Sequence, residues 1–297
     1  MNDTEWRQTY GVSGSEKLPL VTIIVINWNY GAYLPMALQS VASQDYPLLE
    51  VITLDNGSSD ESPSLFQAFA EQHPQVRFIR LDRNLGQLGA AHHILTQHSV
   101  SGEFVSFLDS DDFLFPHFIS HHVRAHSLVN NGAGVSTSDT IQVDGHGTIV
   151  AGNMPRWWKN PEAKRRGWVD IQLPTAHTPP RHLATTLIPS TERQWCWYPG
   201  TSIVYRRSHV EPLMAAIRAP VPVRFALDTS AAPFSHAPGG TIMLNEALSG
   251  YRIHGKNSSV TAPQLQYFDS GRATFSKLNQ RQERWYRKNF RNKIKAS

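Results

Sequence analysis

The residues most able to do chemistry in this sequence are the four in Asp109-Ser110-Asp111-Asp112. They directly follow the apolar run 104–108, which is typical of a buried strand. Carboxylates this close together repel one another, and a divalent cation such as Mg²⁺ or Mn²⁺ relieves that repulsion. Such a cation binds through one or two carboxylates plus substrate phosphates. The pattern predicts a metal and diphosphate site, and the alternative is an acidic turn that caps the next helix.

Polar side chains also follow each of the three preceding apolar runs, which are predicted to be strands. These groups are Asn27-Trp28-Asn29 after the first run, Asp55-Asn56 after the second, and Asn84-Leu85-Gly86-Gln87 after the third. In open α/β sheets, ligands bind in the crevice beyond the carboxyl ends of the strands. One such turn is ordinary, but four of them at neighbouring strand ends predict a single polar rim.

The elements that position these residues alternate in type. The run 21–26 is β-branched without polar alternation, as in a parallel strand covered on both faces. Apolar residues at helical spacing predict a first helix from Leu34 and a second that is capped by Ser59 or Ser62 and runs through Gln72. Two further helices are predicted at residues 86–99 and 116–129. The first half is therefore predicted to be a doubly wound α/β sheet.

The pattern weakens after residue 130. Residues 134–150 are predicted to form a hairpin with Asp144-Gly145 in its turn. Residues 152–200 are rich in Pro, Trp and Arg and are predicted to be a long loop region over the sheet. Strand character returns at 200–207 and at 241–244.

Composition limits the class of protein. The chain has 297 residues, of which 40% are hydrophobic, enough for one α/β domain with extensions. No apolar run approaches the roughly 18 residues of a membrane span, and residues 1–17 are too polar for a signal peptide. Cys196 is the single cysteine, which excludes an intramolecular disulfide and a cysteine-based zinc cluster. We expect a soluble, cytoplasmic protein.

Positive charge is concentrated at the end of the chain. Residues 271–297 hold nine Lys or Arg against Glu283 alone, which leaves 19 basic and 23 acidic residues elsewhere, although the total is +4. A mildly acidic body argues against nucleic acid as a partner. On a helical wheel, the apolar and aromatic residues of 271–297 separate from the cations. This predicts a basic amphipathic helix that either binds an anionic membrane or packs on the domain.

Together these motifs resemble the family 2 glycosyltransferases, whose nucleotide-sugar-binding fold is called GT-A. The resemblance spans about Pro19 to Ser259. It is carried by the four strand-end groups, by Gly200-Thr201-Ser202 with Tyr205-Arg206-Arg207, and by Glu246-x-Leu248-x-x-Tyr251-Arg252-Ile253-His254-Gly255. It implies a GT-A type doubly wound, mainly parallel sheet in residues 19–260, with a nucleotide-binding half at 19–130 and an acceptor and catalytic half at 131–260. Residues 1–18 are then an N-terminal extension, and 261–297 a C-terminal extension that ends in the basic helix.

The resemblance also implies roles for individual residues. Asp55 contacts the nucleotide base, Asp109 the ribose and the metal, and Asp111 the metal that bridges the diphosphate. Trp28, which replaces a frequent Tyr, stacks on the base, or else packs in the core. His254 ligates the metal or binds the diphosphate, unless it is structural. The remaining donor-binding candidates are Asn27, Asn29, Asn84, Gly86, Gln87 and Ser110.

The chain departs from the family pattern at two places. Many members carry Ala-Arg-Asn where this chain has Ala90-Ala91-His92, so Gln87 or His92 is expected to replace the missing Arg. Many carry Glu-Asp where this chain has Leu227-Asp228. Asp228 is then the candidate general base, since one carboxylate suffices to accept a hydroxyl proton. The alternative is that Asp228 only caps the helix that follows.

Acceptor-side candidates are aromatic or close to the expected base. Flat tryptophan rings stack on the apolar faces of sugars, although some of these side chains will only anchor loops. The candidates are Trp195, Trp197, Gly200 and Thr201, with Trp157 and Trp158 in the same irregular region.

The resemblance implies an inverting, metal-dependent glycosyltransferase that uses Mn²⁺ or Mg²⁺ and a UDP- or dTDP-sugar. Its acceptor is expected to be a glycan or a lipid-linked glycan in bacterial surface polysaccharide assembly, at the inner face of the cell membrane. Two alternatives stay open. A nucleotidyltransferase commonly has a Gly-rich loop and a basic residue where this chain has Asn27-Trp28-Asn29. A non-catalytic sugar-binding protein of the same fold would explain the tryptophans and the single carboxylate at Asp228.

Overall fold

The computed structural model describes residues 1–13, 17–129, 131–152, 167–174, 182–192, 195–197 and 199–257. Its helices are α1 (Asp3–Tyr10), α2 (Leu34–Ala42), α3 (Ser62–Gln72), α4 (Gly86–Gln97), α5 (Phe118–Val129), α6 (Arg207–Ala216) and α7 (Asp228–Gly239), with a short 3₁₀ helix at Gly200–Ser202. Its strands are β1 (Val21–Asn27), β2 (Leu49–Asp55), β3 (Val76–Arg80), β4 (Phe104–Asp109), β5 (Phe113–Leu114), β6 (Val135–Asp144), β7 (Ile149–Ala151), β8 (Val169–Pro174), β9 (His182–Ile188), β10 (Ile203–Arg206) and β11 (Thr241–Ile253).

The first half is the parallel sheet that its alternation predicts. Strands β3, β2, β1 and β4 lie side by side in that order, and β1 is buried along its whole length. The register places Asn27 of β1 beside Asp55 of β2, and Ile26 beside Asp109 of β4. The carboxyl ends of these strands therefore meet at one edge of the sheet.

The second half makes the sheet mixed. Strand β10 runs antiparallel between β4 and β6, β6 pairs with β11 in parallel, and β9 and β8 complete the order in antiparallel fashion. The hairpin predicted for 134–150 corresponds to β6 and β7. The long loop predicted for 152–200 is wrong where β8 and β9 lie, since these two strands pair with each other and β9 also pairs with the distant β11.

Helices cover both faces of the sheet. One core packs α1, α2, α3 and α5 against the sheet, and the other packs α4, α6 and α7 with the Cys196 segment. The predicted capping of α3 by Ser59 or Ser62 is wrong. Ser62 is its first residue, and its N–H donates to Asp60 Oδ1 at 3.1 Å.

The N-terminal helix α1 packs tightly on α5. The fully buried Trp6 donates from Nε1 to Ser120 Oγ at 2.7 Å, and the Tyr10 hydroxyl donates to Asp45. Asn2 and Glu5 form a reciprocal capping box at the start of α1. This part of the predicted N-terminal extension is therefore joined to the domain core.

No helix in the described ranges is long and apolar enough to cross a membrane. The basic segment 271–297 lies outside those ranges.

Candidate active site

Three polar side chains from different elements surround Gly200. A Cβ atom placed on Gly200 would lie 3.8 Å from Asp228 Cβ, 3.9 Å from Gln87 Nε2 and 4.0 Å from Asp109 Oδ2. Gln87 stands in the first turn of α4, Asp109 ends β4, and Asp228 is the first residue of α7. The fold thus brings donor-side and catalytic candidates together, and Gly200 leaves space between them.

The pKa values of Asp109 and Asp228 both lie above the usual range for an aspartate. Burial and the neighbouring Asp111 charge raise the pKa of Asp109 to about 7, and Asp228 adds to the rise. Burial also raises the pKa of Asp228 to about 6, while the backbone N–H of Thr229 limits the rise by donating to Asp228 Oδ1 at 2.7 Å. Such a shift moves a carboxylate toward the range useful for a general base at neutral pH.

Asp111 contacts His254, the residue predicted to share its metal. His254 Nε2 lies 3.1 Å from Asp111 Oδ2, and its Nδ1 accepts the backbone N–H of Lys256 at 3.3 Å. In the neutral ring the proton is then on Nε2 and donates to Asp111. Tyr33 stacks on the His254 ring at 4.6 Å. His254 therefore orients the Asp111 carboxylate in this structure.

The third carboxylate of the motif is structural. Asp112 is buried, and its two oxygens accept from Thr201 Oγ1 at 2.7 Å and from the Arg252 backbone N–H at 2.8 Å. Burial, together with Asp111 and Asp109, raises the pKa of Asp112 well above its usual range. Thr201, predicted on the acceptor side, is also buried. Its hydroxyl donates to Asp112, which is a structural contact, and its role on the acceptor side stays a prediction.

Arg252 is a buried cation that fixes the backbone of the metal candidate. Its Nε donates to the Asp111 carbonyl at 2.8 Å, and its Nη1 donates to the carbonyls of Asp144 and Gly145. Its guanidinium lies 5.0 Å from the centre of the Tyr33 ring. Its Nη2 donates to the Met36 sulfur at 2.9 Å, so these hydrogen bonds of the guanidinium go to uncharged acceptors.

A hydrogen bond between Asn27 and Ser110 connects the end of β1 to the residue that follows β4. Both are buried, and Ser110 Oγ donates to Asn27 Oδ1 at 2.7 Å. Asn27 Nδ2 donates to Ser58 Oγ at 3.2 Å, and Asn29 N donates to the same hydroxyl at 3.0 Å. Asn29 adopts the left-handed region with φ 58°. The Asn27 and Ser110 side chains are thus engaged in hydrogen bonds within the protein, and the donor contacts predicted for them stay predictions.

The Asn84 turn holds the start of α4. Asn84 Oδ1 accepts from Gly86 N at 2.7 Å and from Asn56 Nδ2 at 3.0 Å. Gly86 has φ +72°, and a Cβ there would lie 2.2 Å from the carbonyl oxygen of Val223. Only glycine fits both conditions. Asn84 and Gly86 thus shape the site through the backbone.

Asp55 and Trp28 present groups that a ligand can use. Asp55 is fully buried, and its Oδ2 accepts from Ser58 N at 3.2 Å and lies 3.7 Å from Arg80 Nε. Among the described residues, Asp55 Oδ1 has no hydrogen-bond partner. Such an acceptor is costly unless a donor arrives. Trp28 is 49% exposed, so the alternative that it packs in the core is wrong.

The tryptophans predicted on the acceptor side are packed against the protein. Trp197 is 5% exposed, belongs to the second core, and donates from Nε1 to Thr241 Oγ1 at 3.0 Å. The ring is therefore part of the core in this structure, and its role toward the acceptor stays a prediction. Trp195 is half-buried and meets Trp197 edge to face. Trp157 and Trp158 lie outside the described residues.

The side chains of the acidic motif are the ones predicted to hold a metal ion. In the part of the chain that the structure describes, no three His, Cys, Asp or Glu side chains converge as a complete metal cage. Mg²⁺ and Mn²⁺ do not require one, because they retain waters and bind phosphate oxygens. Asp111 is 14% exposed, and its charge raises the pKa of both neighbouring carboxyl groups, a repulsion that a bound cation would relieve. The residues present therefore fit a divalent ion shared with phosphates.

The fold and the site define an α/β protein with an acidic rim at the ends of its parallel strands. The model of the family described as Glycosyl transferase family 2 matches residues 22–182, more than half of the 297 residues. The chain belongs to glycosyl transferase family 2, which confirms the family predicted from its motifs.

Named relatives agree with this assignment. An uncharacterized glycosyltransferase of Nostoc sp. is 29% identical over 245 residues, which are 82% of this chain and 67% of the relative. A GalNAc(5)-diNAcBac-PP-undecaprenol beta-1,3-glucosyltransferase of Campylobacter jejuni is 35% identical over 98 residues, 33% of this chain and 31% of that protein.

Solved structures confirm the predicted fold class. TarS of S. aureus, in complex with UDP-GlcNAc, matches with a TM-score of 0.54 at 16% identity, over 78% of this chain and 58% of the TarS chain. The mannosyltransferase PcManGT of Pyrobaculum calidifontis, in complex with GDP-Man and Mn²⁺, matches at 0.50 and 18% identity, over 84% and 61%. The likeness shows a GT-A type fold with a mixed, mostly parallel sheet.

Sequence reasoning missed helix α6, the tie between Asp112 and Thr201, and the two partners of Gln87. Gln87 donates from Nε2 to Asp109 Oδ1 at 2.5 Å and accepts from Leu227 N at 2.8 Å. Local periodicity carries no signal for such contacts between distant parts of the chain. The motif Asn84-x-Gly86-Gln87 indicated only that this turn belongs to the site.

Proposed function

We propose that this family 2 glycosyltransferase moves a sugar from a UDP- or dTDP-sugar to a hydroxyl group of a glycan or lipid-linked acceptor, with inversion at the anomeric carbon. The observation that carries the proposal is the grouping of Asp109, Gln87 and Asp228 around Gly200. This grouping sets a candidate base beside the rim where the donor candidates Asp55 and Asp111 also lie.

The base pocket favours a pyrimidine. The imide N–H of uracil or thymine needs one acceptor, and Asp55 Oδ1 is a buried acceptor without a partner among the described residues. Guanine offers two adjacent donors that suit both oxygens of a carboxylate, but Asp55 Oδ2 already faces Ser58 N and Arg80. The exposed ring of Trp28 is available for stacking on the base.

Asp228 supplies the base for a single displacement. The acceptor hydroxyl proton passes to the Asp228 carboxylate while the acceptor oxygen attacks the anomeric carbon. The bond from that carbon to the diphosphate oxygen breaks, and the nucleoside diphosphate leaves with the electron pair. One direct attack inverts the configuration, and the pKa of about 6 leaves Asp228 mostly ionised at neutral pH.

Asp111 and Asp109 would hold Mn²⁺ or Mg²⁺, with His254 as ligand or as the group that orients Asp111. The bound ion neutralises the charge that develops on the leaving diphosphate. Asp109 and Asp111 are suited to this because the Asp111 charge disfavours ionisation of Asp109, and a cation would relieve that repulsion.

Replacement of the base-pocket carboxylate tests the donor class. We expect wild type to bind UDP with Mn²⁺ more tightly than GDP. We expect Asp55→Asn to weaken UDP binding about 10- to 100-fold, the value of a hydrogen bond to a charged group. Isothermal titration calorimetry measures both.

The matched control is Glu71→Gln, which removes an exposed carboxylate on α3 and should bind like wild type. Tighter binding of GDP, or unchanged UDP affinity in Asp55→Asn, would contradict the pyrimidine assignment. A failure to bind any nucleoside diphosphate, with no release of one from nucleotide-sugars, would point to a non-catalytic protein.

The setting we propose is bacterial surface polysaccharide assembly at the inner face of the cell membrane. It is supported by the name of the Campylobacter relative, which refers to an undecaprenol-linked substrate, and by the nine cations of residues 271–297. Such a segment can bind anionic headgroups. In a flotation assay we expect anionic liposomes to carry the full chain but not a chain that ends at Gly271. Equal flotation of the two would remove the membrane role.

A further inference from the structure

Gln87 links the two halves of the candidate site through one side-chain amide. Its Nε2 donates to Asp109 Oδ1 at 2.5 Å, and its Oε1 accepts from the backbone N–H of Leu227 at 2.8 Å. Asp109 belongs to the nucleotide half, and Leu227 directly precedes the candidate base Asp228. We infer that Gln87 is a positioning residue that sets the donor-side carboxylate and the general base relative to each other. The inference rests on the proposed function.

The contact is part of a wider junction between α4 and the loop before α7. The residues on both sides of Gln87 touch the same loop. Gly86 lies so close to Val223 that a Cβ would meet its carbonyl at 2.2 Å, and Leu88 N donates to the Phe225 carbonyl at 3.4 Å. Three consecutive residues of α4 therefore hold the loop, which makes Gln87 a fixed link.

The Oε1 atom of Gln87 accepts a hydrogen bond at the residue where α7 begins. Leu227 is the N-cap residue of α7, and its carbonyl accepts from Ser230 N and Ala231 N at 3.1 and 2.8 Å. The cap makes no side-chain hydrogen bond, and its backbone N–H is satisfied by Gln87. Asp228 follows as the first helical residue. A shift of Leu227 would displace the carboxylate that is to receive the acceptor proton.

The Nε2 group of Gln87 forms a hydrogen bond with only one of the two carboxylate oxygens of Asp109. With Oδ1 occupied by Gln87, Oδ2 is the oxygen that faces Gly200. An amide can donate to a carboxylate and accept from a backbone N–H at the same time. A carboxylate in its place would add a charge against Asp109, and a thioether would fill the space without either hydrogen bond. Both ends of the Gln87 amide are thus bonded within the protein, which supports a positioning role over the donor contact predicted from the sequence.

The test compares Gln87→Met with wild type in two assays. UDP binding in the presence of Mn²⁺ is measured by calorimetry. Turnover is measured as UDP release from whichever of UDP-glucose, UDP-galactose and UDP-GlcNAc the wild type cleaves fastest. A positioning residue predicts a fall in kcat of about 100-fold, the cost of misplacing a reacting group by about 1 Å. The Kd for UDP and the KM for the donor should stay within about threefold, because Gln87 itself makes no donor contact and Asp109 is still held at the end of β4. Gln67→Met, on an exposed face of α3, is the matched control and should behave like wild type.

The split between kcat and KM decides the outcome. A raised KM with unchanged kcat would make Gln87 a donor contact, and wild-type values for both would leave it without a role; either result overturns the inference. If the wild type itself neither binds UDP nor releases it from these sugars, the proposed function fails instead.

A thermal-unfolding cycle covers the case in which Gln87→Met folds poorly. Gln87→Glu, Asp109→Asn and the double variant are compared with wild type. Because Gln87→Glu places a second carboxylate against Asp109, Asp109→Asn should raise the Tm more in the Gln87→Glu background than in wild type. In the double variant, the amide introduced at position 109 can donate to the carboxylate introduced at position 87, which restores the bridge in reverse. Equal shifts in both backgrounds would show that the two side chains are not coupled, and the inference would fall.

Discussion

Asp111→Asn is expected to reduce metal-dependent release of the nucleoside diphosphate by at least about 10³-fold. The metal in this proposal supplies several kcal/mol of stabilisation to the leaving diphosphate, and 10³-fold corresponds to about 4 kcal/mol. Asp111 is a partly exposed member of the acidic motif, and His254 already holds its carboxylate in place. The substitution keeps the shape of the side chain and an oxygen for His254 but removes the charge.

The same variant should be at least as stable as wild type in the absence of metal. Asp111 raises the pKa of both Asp109 and Asp112 by repulsion, so its charge destabilises the ionised, metal-free site. Loss of activity with an unchanged or raised Tm separates a functional charge from a structural one. The measurements are UDP release across a Mn²⁺ titration and thermal unfolding in a chelator.

Glu71→Gln serves as the control, because it removes an exposed carboxylate near the end of α3 and should change neither quantity. Full activity of Asp111→Asn at saturating Mn²⁺ would defeat the metal assignment. A large fall in Tm would show that Asp111 is needed for folding.

Asp228→Asn is expected to reduce turnover about 10²- to 10⁴-fold, the usual contribution of a positioned base, while UDP binding stays unchanged. The amide keeps an acceptor for Thr229 N, so the start of α7 should be preserved. Calorimetry with UDP and Mn²⁺ checks the binding, and UDP release in the presence of an acceptor glycan checks the rate.

The pH profile gives a second readout for the same residue. A base works when ionised, and burial raises the pKa of Asp228 to about 6. With saturating Mn²⁺ and donor, the rate of wild type should therefore be level above that pH and fall about tenfold per unit below it. Asp228→Asn should lose this acid limb. The control Glu211→Gln, on α6, should keep it. An unchanged acid limb in Asp228→Asn would assign the base elsewhere.

The first half of the fold could be predicted because its signals are local. The buried β-branched run of β1 and the helical spacing from Leu34 each determine an element without reference to distant residues. Parallel strands connected by helices then place Asp55 and Asp109 at one edge. The family resemblance rests largely on the same strand ends, because their order along the chain can be read directly from the sequence.

Tertiary structure alone decided which of the polar candidates are buried and hydrogen-bonded within the protein. Asn27, Ser110 and Thr201 have the same side-chain chemistry as donor-binding residues, yet each is buried and bonded to another part of the protein. Burial depends on partners that are far away in the chain, so no local pattern reports it. The insertion of β10 between β4 and β6 is of the same kind.

The sequence by itself indicated the family, the parallel half of the sheet and the acidic rim, because each is carried by short local motifs and by their order along the chain. The structure decided that Trp197 is a core residue, that Asp112 is a structural tie, and that Gln87 spans Asp109 and Leu227. These depend on contacts between residues separated by as many as 140 positions, which only the folded chain brings together.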